Sequence, residues 1–193
     1  MTRREFFLLL AGSIVCGSFA GPRGLAQPLF PAEDSKLTFA LTATDGTAVA
    51  DLTYRGKWLI VYFGYTYCPD VCPTTLMEIA GALNALGPRA DMVQGLFITV
   101  DPQRDTAVVL NDYVKSFDPR FVGLTGTHAQ IAAAARAFHV FYERNDTNDC
   151  SYLFDHSAYI YLVNPDGRLA TAIGSQGSSR VISDALSALM AAR

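Results

Sequence analysis

The chain has 193 residues, half of them apolar and 17% charged, with a formal net charge of −3. That is enough apolar material for one globular domain with a real core, and it excludes a disordered chain. With no basic block or stripe, the mildly acidic balance also argues against nucleic acid or anionic lipid as the main partner.

The N-terminus reads as an export signal. Arg3 and Arg4 precede an apolar run over 6–20, and Gly24-Leu25-Ala26 offers a small-x-small cleavage site after Ala26. The paired arginines, flanked by Thr2 and Phe6 and followed by Arg23 beyond the run, resemble a twin-arginine signal. An ordinary signal with a basic start is the plainer reading. An uncleaved anchor is a third, although the run is short against the ~20 apolar residues of a membrane span. Each reading exports the rest of the chain, to the periplasm or to the outer face of the cytoplasmic membrane. Removal of residues 1–26 takes away Arg3, Arg4 and Arg23 but only Glu5 among the acids, so the net charge moves from −3 to −5. Cys16 would leave with the signal, since Ser13-Ile14-Val15 lacks the small residue expected ahead of a lipidated cysteine. Cys68, Cys72 and Cys150 remain, an odd number for an oxidising compartment where unpaired thiols are avoided.

Residues 27–36 are polar and contain proline, as a linker would, and the folded domain is expected over 37–193. Alternation over 37–43, a tight turn at Asp45-Gly46 and a return over 49–54 predict an N-terminal β-hairpin that caps the main sheet. The continuous apolar run over 58–65 predicts a strand buried on both faces. Directly after it comes Thr66-Tyr67-Cys68-Pro69-Asp70-Val71-Cys72-Pro73. Helical spacing of Leu76, Ile79, Ala80, Leu83 and Leu86, with Gly87 as a stop, puts Cys68 in the loop and Cys72 in the first turn of a helix.

Residues 95–100 read as the next buried strand, Asp101-Pro102 breaks it, and Asp105 or Thr106 caps a helix through 117, which completes a βαβ unit. A short strand over 121–124, an Ala-rich helix over 128–138 capped by Thr127, an extended piece over 140–143 and a polar loop over 145–149 follow. The chain closes with strands over 158–163 and 168–173 around the turn Asn164-Pro165-Asp166-Gly167, then an amphipathic helix over 178–192. This order predicts an α/β, thioredoxin-like fold in its peroxiredoxin-like variant. It has a central mixed β-sheet, helices on both faces and an insertion between the central units.

Cysteines at i and i+4 across a helix start face one another, and thiolates there are stabilised by unpaired N–H groups and the helix dipole. Such a pair can close into a disulfide, exchange electrons with another dithiol, or share a soft metal, since thiolates select Cu(I) or zinc and imidazole suits copper. An inert disulfide is the plainest reading, but this pair sits between prolines rather than pinning distant segments. His128 and His139 begin and end the Ala-rich helix, away from the strand ends around the dithiol, and read as structural or solvated. His156, in Leu153-Phe154-Asp155-His156-Ser157, belongs to a predicted loop that faces the dithiol in thioredoxin folds; a hydrogen-bonded loop histidine is the alternative.

The cysteine motif, Val100-Asp101-Pro102-Gln103-Arg104-Asp105-Thr106 and Asp155-His156-Ser157, in this order and with the 164–167 turn, together resemble the SCO/SenC copper chaperones. The resemblance implies a thioredoxin fold that binds copper, as Cu(I) and Cu(II), through Cys68, Cys72 and His156. It further implies delivery to the binuclear copper centre of cytochrome c oxidase. The implied partners are the copper-site subunit of that oxidase and other periplasmic copper carriers. Two thiolates and a neutral imidazole would hold Cu(I) three-coordinate with net charge −1 and leave an open approach for ligand exchange. Oxidation to a disulfide would remove both soft ligands. Asp101 resembles a residue beside the family's copper site, placed to hydrogen-bond a ligand or its loop, or else merely forms the turn before Pro102. Asp155 either orients the His156 ring or points to solvent. Cys150 departs from the family pattern and reads as a reserve thiol, an intermolecular disulfide partner, an extra copper ligand or a tolerated loop cysteine.

A thiol-disulfide reductase that keeps the cysteines of the oxidase copper site reduced would use the same fold and dithiol. Against it stand the CxxxC spacing and the lack, over 151–161, of the proline that redox-active thioredoxins set opposite their dithiol. A thiol peroxidase wants a threonine three residues before its cysteine, where this chain has Tyr65 and Pro69. The expected protein is a metallochaperone rather than an enzyme.

Overall fold

The computed structural model describes residues 34–147 and 151–192. In chain order it contains β1 (Ala40–Ala43), β2 (Ala48–Ala50), β3 (Trp58–Gly64), α1 (Val71–Ala85), β4 (Val93–Thr99), α2 (Ala107–Phe117) and β5 (Phe121–Thr125). Next come α3 (His128–Ala137), β6 (Tyr142–Asp146), β7 (Tyr152–His156), β8 (Tyr159–Val163), β9 (Leu169–Gly174) and α4 (Ser179–Ala191). The export signal with Cys16, residues 27–33 of the expected linker, and Cys150 lie outside the described residues. Among those described, no helix is long and apolar enough to cross a membrane.

Strand β3 is buried along its whole length, and its side chains alternate between two cores. Leu59, Val61 and Phe63 join one, Trp58, Ile60 and Tyr62 the other, which is why its sequence is a continuous apolar run rather than an alternation. It pairs parallel to β4 and antiparallel to β8 at the centre of a seven-stranded sheet ordered β2-β1-β5-β4-β3-β8-β9. Helices α1, α2 and α4 cover one face, through Leu76, Ile79, Leu110, Val114, Ile182 and Leu186. Helix α3 covers the other, through Ile131, Ala134 and Ala135. The predicted α/β, thioredoxin-like architecture is thus the observed one, with α2–β5 and β6–β7 between the β3-α1-β4 unit and the closing β8-β9-α4 unit.

Helix starts follow the chain's own signals. Thr106 and Ser178 accept from Val109 and Val181 N–H groups, and Thr127 forms a reciprocal capping box with Gln130. Asp105, the alternative cap for α2, is instead buried. Gly87 takes the left-handed conformation, φ 57°, that ends α1.

Three local expectations change. The hairpin joins the edge of the main sheet beside β5 rather than capping it, and its second strand stops at Ala50. There the Ala50 N–H donates to Thr53 Oγ1 at 3.0 Å and residues Asp51–Tyr54 coil into a 3₁₀ turn. Residues 34–36, read as linker, lie along the start of β9: Asp34 N–H donates to the Leu169 carbonyl and Leu169 N–H to that of Ser35, both at 2.9 Å. Finally, the extended piece, polar loop and His156 loop are largely one antiparallel ribbon, β6–β7, pairing Tyr142 with His156 and Asp146 with Tyr152. Its first strand exposes Glu143, Arg144, Asn145 and Asp146, so no apolar alternation announces it.

Candidate metal centre

Strand β3 runs from the middle of the sheet straight into the turn that carries Cys68. The Cys68 N–H donates to the Tyr65 carbonyl at 3.2 Å and closes that turn. Helix α1 then begins at Val71 without a side-chain cap, so the N–H groups of its first turn need other acceptors. The Cys72 N–H finds one in Cys68 Sγ, 3.4 Å away. Gly64 makes room for the second sulfur: a Cβ there would stand 2.8 Å from Cys72 Sγ and 3.0 Å from the Phe97 ring. Cys72 is therefore fully buried, with the Tyr62 hydroxyl 4.0 Å from its sulfur, whereas Cys68 is partly exposed.

His156, at the end of β7, closes the third side. Its Nε2 lies 3.4 Å from Cys72 Sγ, and the donor atoms of Cys68, Cys72 and His156 all lie within 4.8 Å of one another. The other ring nitrogen, Nδ1, lies 3.2 Å from the Ser157 carbonyl oxygen. A carbonyl only accepts, so Nδ1 donates to it, and Nε2 is the nitrogen that faces the sulfurs. The rings of Tyr62 and Tyr65 meet the imidazole edge-on, with centroids 6.2 and 6.1 Å away. A cavity of about 260 Å³ between the dithiol turn (Cys68, Pro69, Val71) and the ribbon (Leu153, Phe154, His156) opens onto these donors.

Around them, Asp101 and Asp155 part company. Asp101 is buried and its carboxylate accepts from Arg104 Nε at 2.5 Å and from the Tyr152 hydroxyl at 3.1 Å. It serves the loop and the ribbon. Along β7 the side chains alternate, so Asp155 lies on the exposed face opposite His156 and accepts from Asn145 Nδ2 at 2.8 Å. The partner of the His156 ring nitrogen Nδ1 is the Ser157 carbonyl. His128 and His139 sit at the two ends of α3, outside the donor group.

Residues 29–191 match the family model described as SCO1/SenC. The chain belongs to the SCO1/SenC family. It is 40% identical over 157 residues to the human mitochondrial SCO2 homolog, a match covering 80% of this chain and 59% of that one. To the Arabidopsis thaliana mitochondrial SCO1 homolog 1 it is 41% identical over 129 residues, covering 66% and 39%. The match thus spans less than two thirds of these relatives' own length. Among solved structures, Arabidopsis thaliana ScoI with copper bound is similar with TM-score 0.78 and 34% identity, over 82% of this chain and 99% of that chain. Bradyrhizobium japonicum ScoI with copper bound is similar with TM-score 0.73 and 40% identity, over 79% and 98%.

The two sulfurs of this SCO1/SenC domain are chemically unequal. Cys68 is lowered to about 4, first by the hydrogen bond with the Cys72 side chain, then by His156 and the N–H groups of Asp70 and Cys72, all working against desolvation. Cys72 is pushed up by the same hydrogen bond, by burial and by the charge on Cys68. The pair therefore rests as one thiolate and one thiol that share a proton. Two sulfurs and one imidazole nitrogen form a soft donor set with three members, which fits a low-coordinate Cu(I) better than a hard cation or a four-coordinate zinc.

Sequence reasoning passed over Gly64, Tyr62, Tyr65, Arg104 and Tyr152. Gly64 carried a signal, a glycine ending a buried strand immediately before a reactive loop. Arg104 stood in a quoted motif, but its partner Tyr152 is 48 positions away and no local pattern connects them.

Proposed function

We propose that this SCO1/SenC protein is a copper chaperone working outside the cytoplasmic membrane. In this reading it takes copper through Cys68, Cys72 and His156 and hands it to the binuclear copper centre of cytochrome c oxidase. The observation that carries the reading is the three-donor cluster with His156 Nε2 facing the dithiol. The copper-bound ScoI structures to which the chain is similar support it, and the motif resemblance supports the oxidase as acceptor. Cys68, already a thiolate, is the first ligand; Cys72 joins by giving up its proton, so loading releases a proton. Three ligands leave one face of the ion open towards the cavity. Thiolates of the copper-site subunit, or of another periplasmic carrier, approach from that face and displace the chaperone's ligands one at a time. Residues 1–26 serve export, whether they are then cleaved or kept as an anchor.

Titration of the reduced full chain with Cu(I), under anaerobic conditions against a chromophoric chelator, tests the site. Cys68→Ser and Cys72→Ser are expected to abolish tight binding, His156→Ala to weaken it, and Cys150→Ser to leave it unchanged. Undiminished binding in the first three variants would sink the site, and a defect in the fourth would promote Cys150 to a ligand.

The unequal sulfurs favour one further reading, a thiol-disulfide reductase. Its partly exposed Cys68 thiolate would attack a partner disulfide and Cys72 would resolve the mixed disulfide. This protein would then lose two electrons and the one proton of its pair, and the partner disulfide would gain those electrons and become two thiols, its second proton coming from water. Such exchange does not require the imidazole as a ligand. His156→Ala is therefore expected to weaken copper binding while sparing exchange with a disulfide substrate; equal loss of both would remove the distinction.

A further inference from the structure

Strands β6 and β7 form a sheet of their own, separate from the one whose central strand leads into the dithiol. Beyond its short tether to β8, the place of His156 over the sulfurs therefore rests on docking contacts rather than on a continuous ladder. Tyr152, Phe154 and His156 share the inner face of β7. Phe154 docks through its N–H, which donates to the Tyr65 hydroxyl at 3.2 Å, and through its ring, edge-on to Tyr65 at 5.6 Å. Tyr152 docks on Arg104. Arg104 Nη1 donates to the Tyr152 carbonyl at 2.9 Å, and the guanidinium carbon lies 3.6 Å from the Tyr152 ring centroid. Arg104 Nε is held by Asp101, which also accepts from the Tyr152 hydroxyl.

The same short segment grips the dithiol turn. The Arg104 guanidinium lies 4.7 Å from the Tyr67 ring centroid. One residue on, the Asp105 carboxylate accepts from the Thr66 hydroxyl at 2.6 Å, the Thr66 N–H at 3.1 Å and the Thr99 hydroxyl at 2.5 Å. Residues 101–105 thus touch both halves of the site, the ribbon through Asp101 and Arg104 and the dithiol turn through Arg104 and Asp105.

We propose that Arg104 is a positioning residue for the imidazole: it docks β7 so that His156 Nε2 stays beside Cys72 Sγ, and it acts on copper only through His156. This rests on the copper reading above. A planar guanidinium bonds a carboxylate and a carbonyl while stacking on a ring; a lysine ammonium, lacking the fork, does not do all three. Arg104→Lys therefore keeps a charge opposite the buried Asp101, sparing the fold, but loosens the ribbon. Tyr152→Ala removes the same dock from the ribbon side, at a residue that leaves the sheet core untouched.

The test uses the reduced full chain and Cu(I), with anaerobic chelator competition for affinity and amide hydrogen exchange over 152–156 in the metal-free protein. Arg104→Lys and Tyr152→Ala are each expected to weaken Cu(I) binding by about 10- to 100-fold, the usual cost of losing a group that orients a ligand. Both should speed exchange in the ribbon. In a His156→Ala background neither should weaken binding further. Losses that multiply with that of His156→Ala, or Arg104→Lys with wild-type affinity and wild-type ribbon exchange, would overturn the role of Arg104. Wild-type affinity in His156→Ala itself would instead overturn the copper reading, so the two failures are distinguishable.

Discussion

Cys72 Sγ and His156 Nε2, 84 positions apart in the chain, lie 3.4 Å from one another. The sulfur reaches this point because Gly64 has no side chain to displace it, and the imidazole because β7 is docked against the dithiol turn. Consequences for thiol chemistry, packing and pH follow from this contact and its surroundings.

With a Cys68 thiol lowered to about 4, the thiolate form persists across the neutral range. A free thiol would lose reactivity as pH falls below its ordinary value, which is near 8.5. The rate of Cys68 alkylation by iodoacetamide is therefore expected to be nearly flat through neutral pH and to fall with a midpoint near 4, while buried Cys72 stays unmodified until the protein unfolds. Mass-spectrometric mapping of the alkylated residue against pH checks this. A midpoint in the ordinary thiol range, or faster labelling of Cys72, contradicts the unequal pair.

His156 is one of the groups that lower Cys68. His156→Ala should move the alkylation midpoint upwards but leave it well below that of a free thiol, because the larger contribution comes from Cys72. Cys72→Ala should move it further. The reverse ranking would show that the imidazole, rather than the neighbouring thiol, governs the pair.

Gly64→Ala would set a Cβ 2.8 Å from Cys72 Sγ and 3.0 Å from the Phe97 ring, at a strand end held to β4 by the pairing of Gly64 with Thr99. Overpacking of this kind costs about 1–3 kcal/mol. Urea unfolding should show a lower midpoint with an unchanged slope, and Cu(I) binding should weaken because the sulfur is displaced. A variant with wild-type stability and affinity would mean that the strand end yields.

Burial raises the Asp105 carboxyl above its ordinary value, despite the Thr66 and Thr99 hydroxyls that favour its charge. A raised carboxyl makes its ionisation work against folding: that stability is present below the unfolded value and lost as pH rises through the folded one. Asp105→Asn, which keeps an acceptor and removes the charge, should flatten the fall in stability just above the ordinary carboxylate range. Asp105→Ala leaves the Thr66 N–H and two hydroxyls without their acceptor and should cost about 2–3 kcal/mol. Denaturant midpoints of the three proteins across that pH range check both.

Much of the frame is legible along the chain because its physics is local. Strand β3 is covered on both faces and so is spelled as an unbroken apolar run, and α2, α3 and α4 begin at Thr106, Thr127 and Ser178 because a hydroxyl there satisfies a free N–H. The ribbon β6–β7 escapes such a reading. Residues 143–146 are exposed, and their strand conformation is imposed by pairing with β7 rather than by burial of an apolar face. Asp101 and Asp105 illustrate the same divide: both read as turn formers or caps, yet each is a buried carboxylate that joins a near neighbour to a segment distant in the chain.

The sequence by itself determined the two thiols at i and i+4, the strand and helix that flank them, and a third soft donor in His156 through its motif. Tertiary structure alone decided which nitrogen of His156 faces the sulfurs, which sulfur carries the charge, and that Arg104 and Tyr152 hold the imidazole in place. The reason is physical. Spacing along a helix is an intrinsic property of the chain, whereas a tautomer, a thiol shifted by burial and a docked ribbon depend on atoms that only folding brings within hydrogen-bond reach.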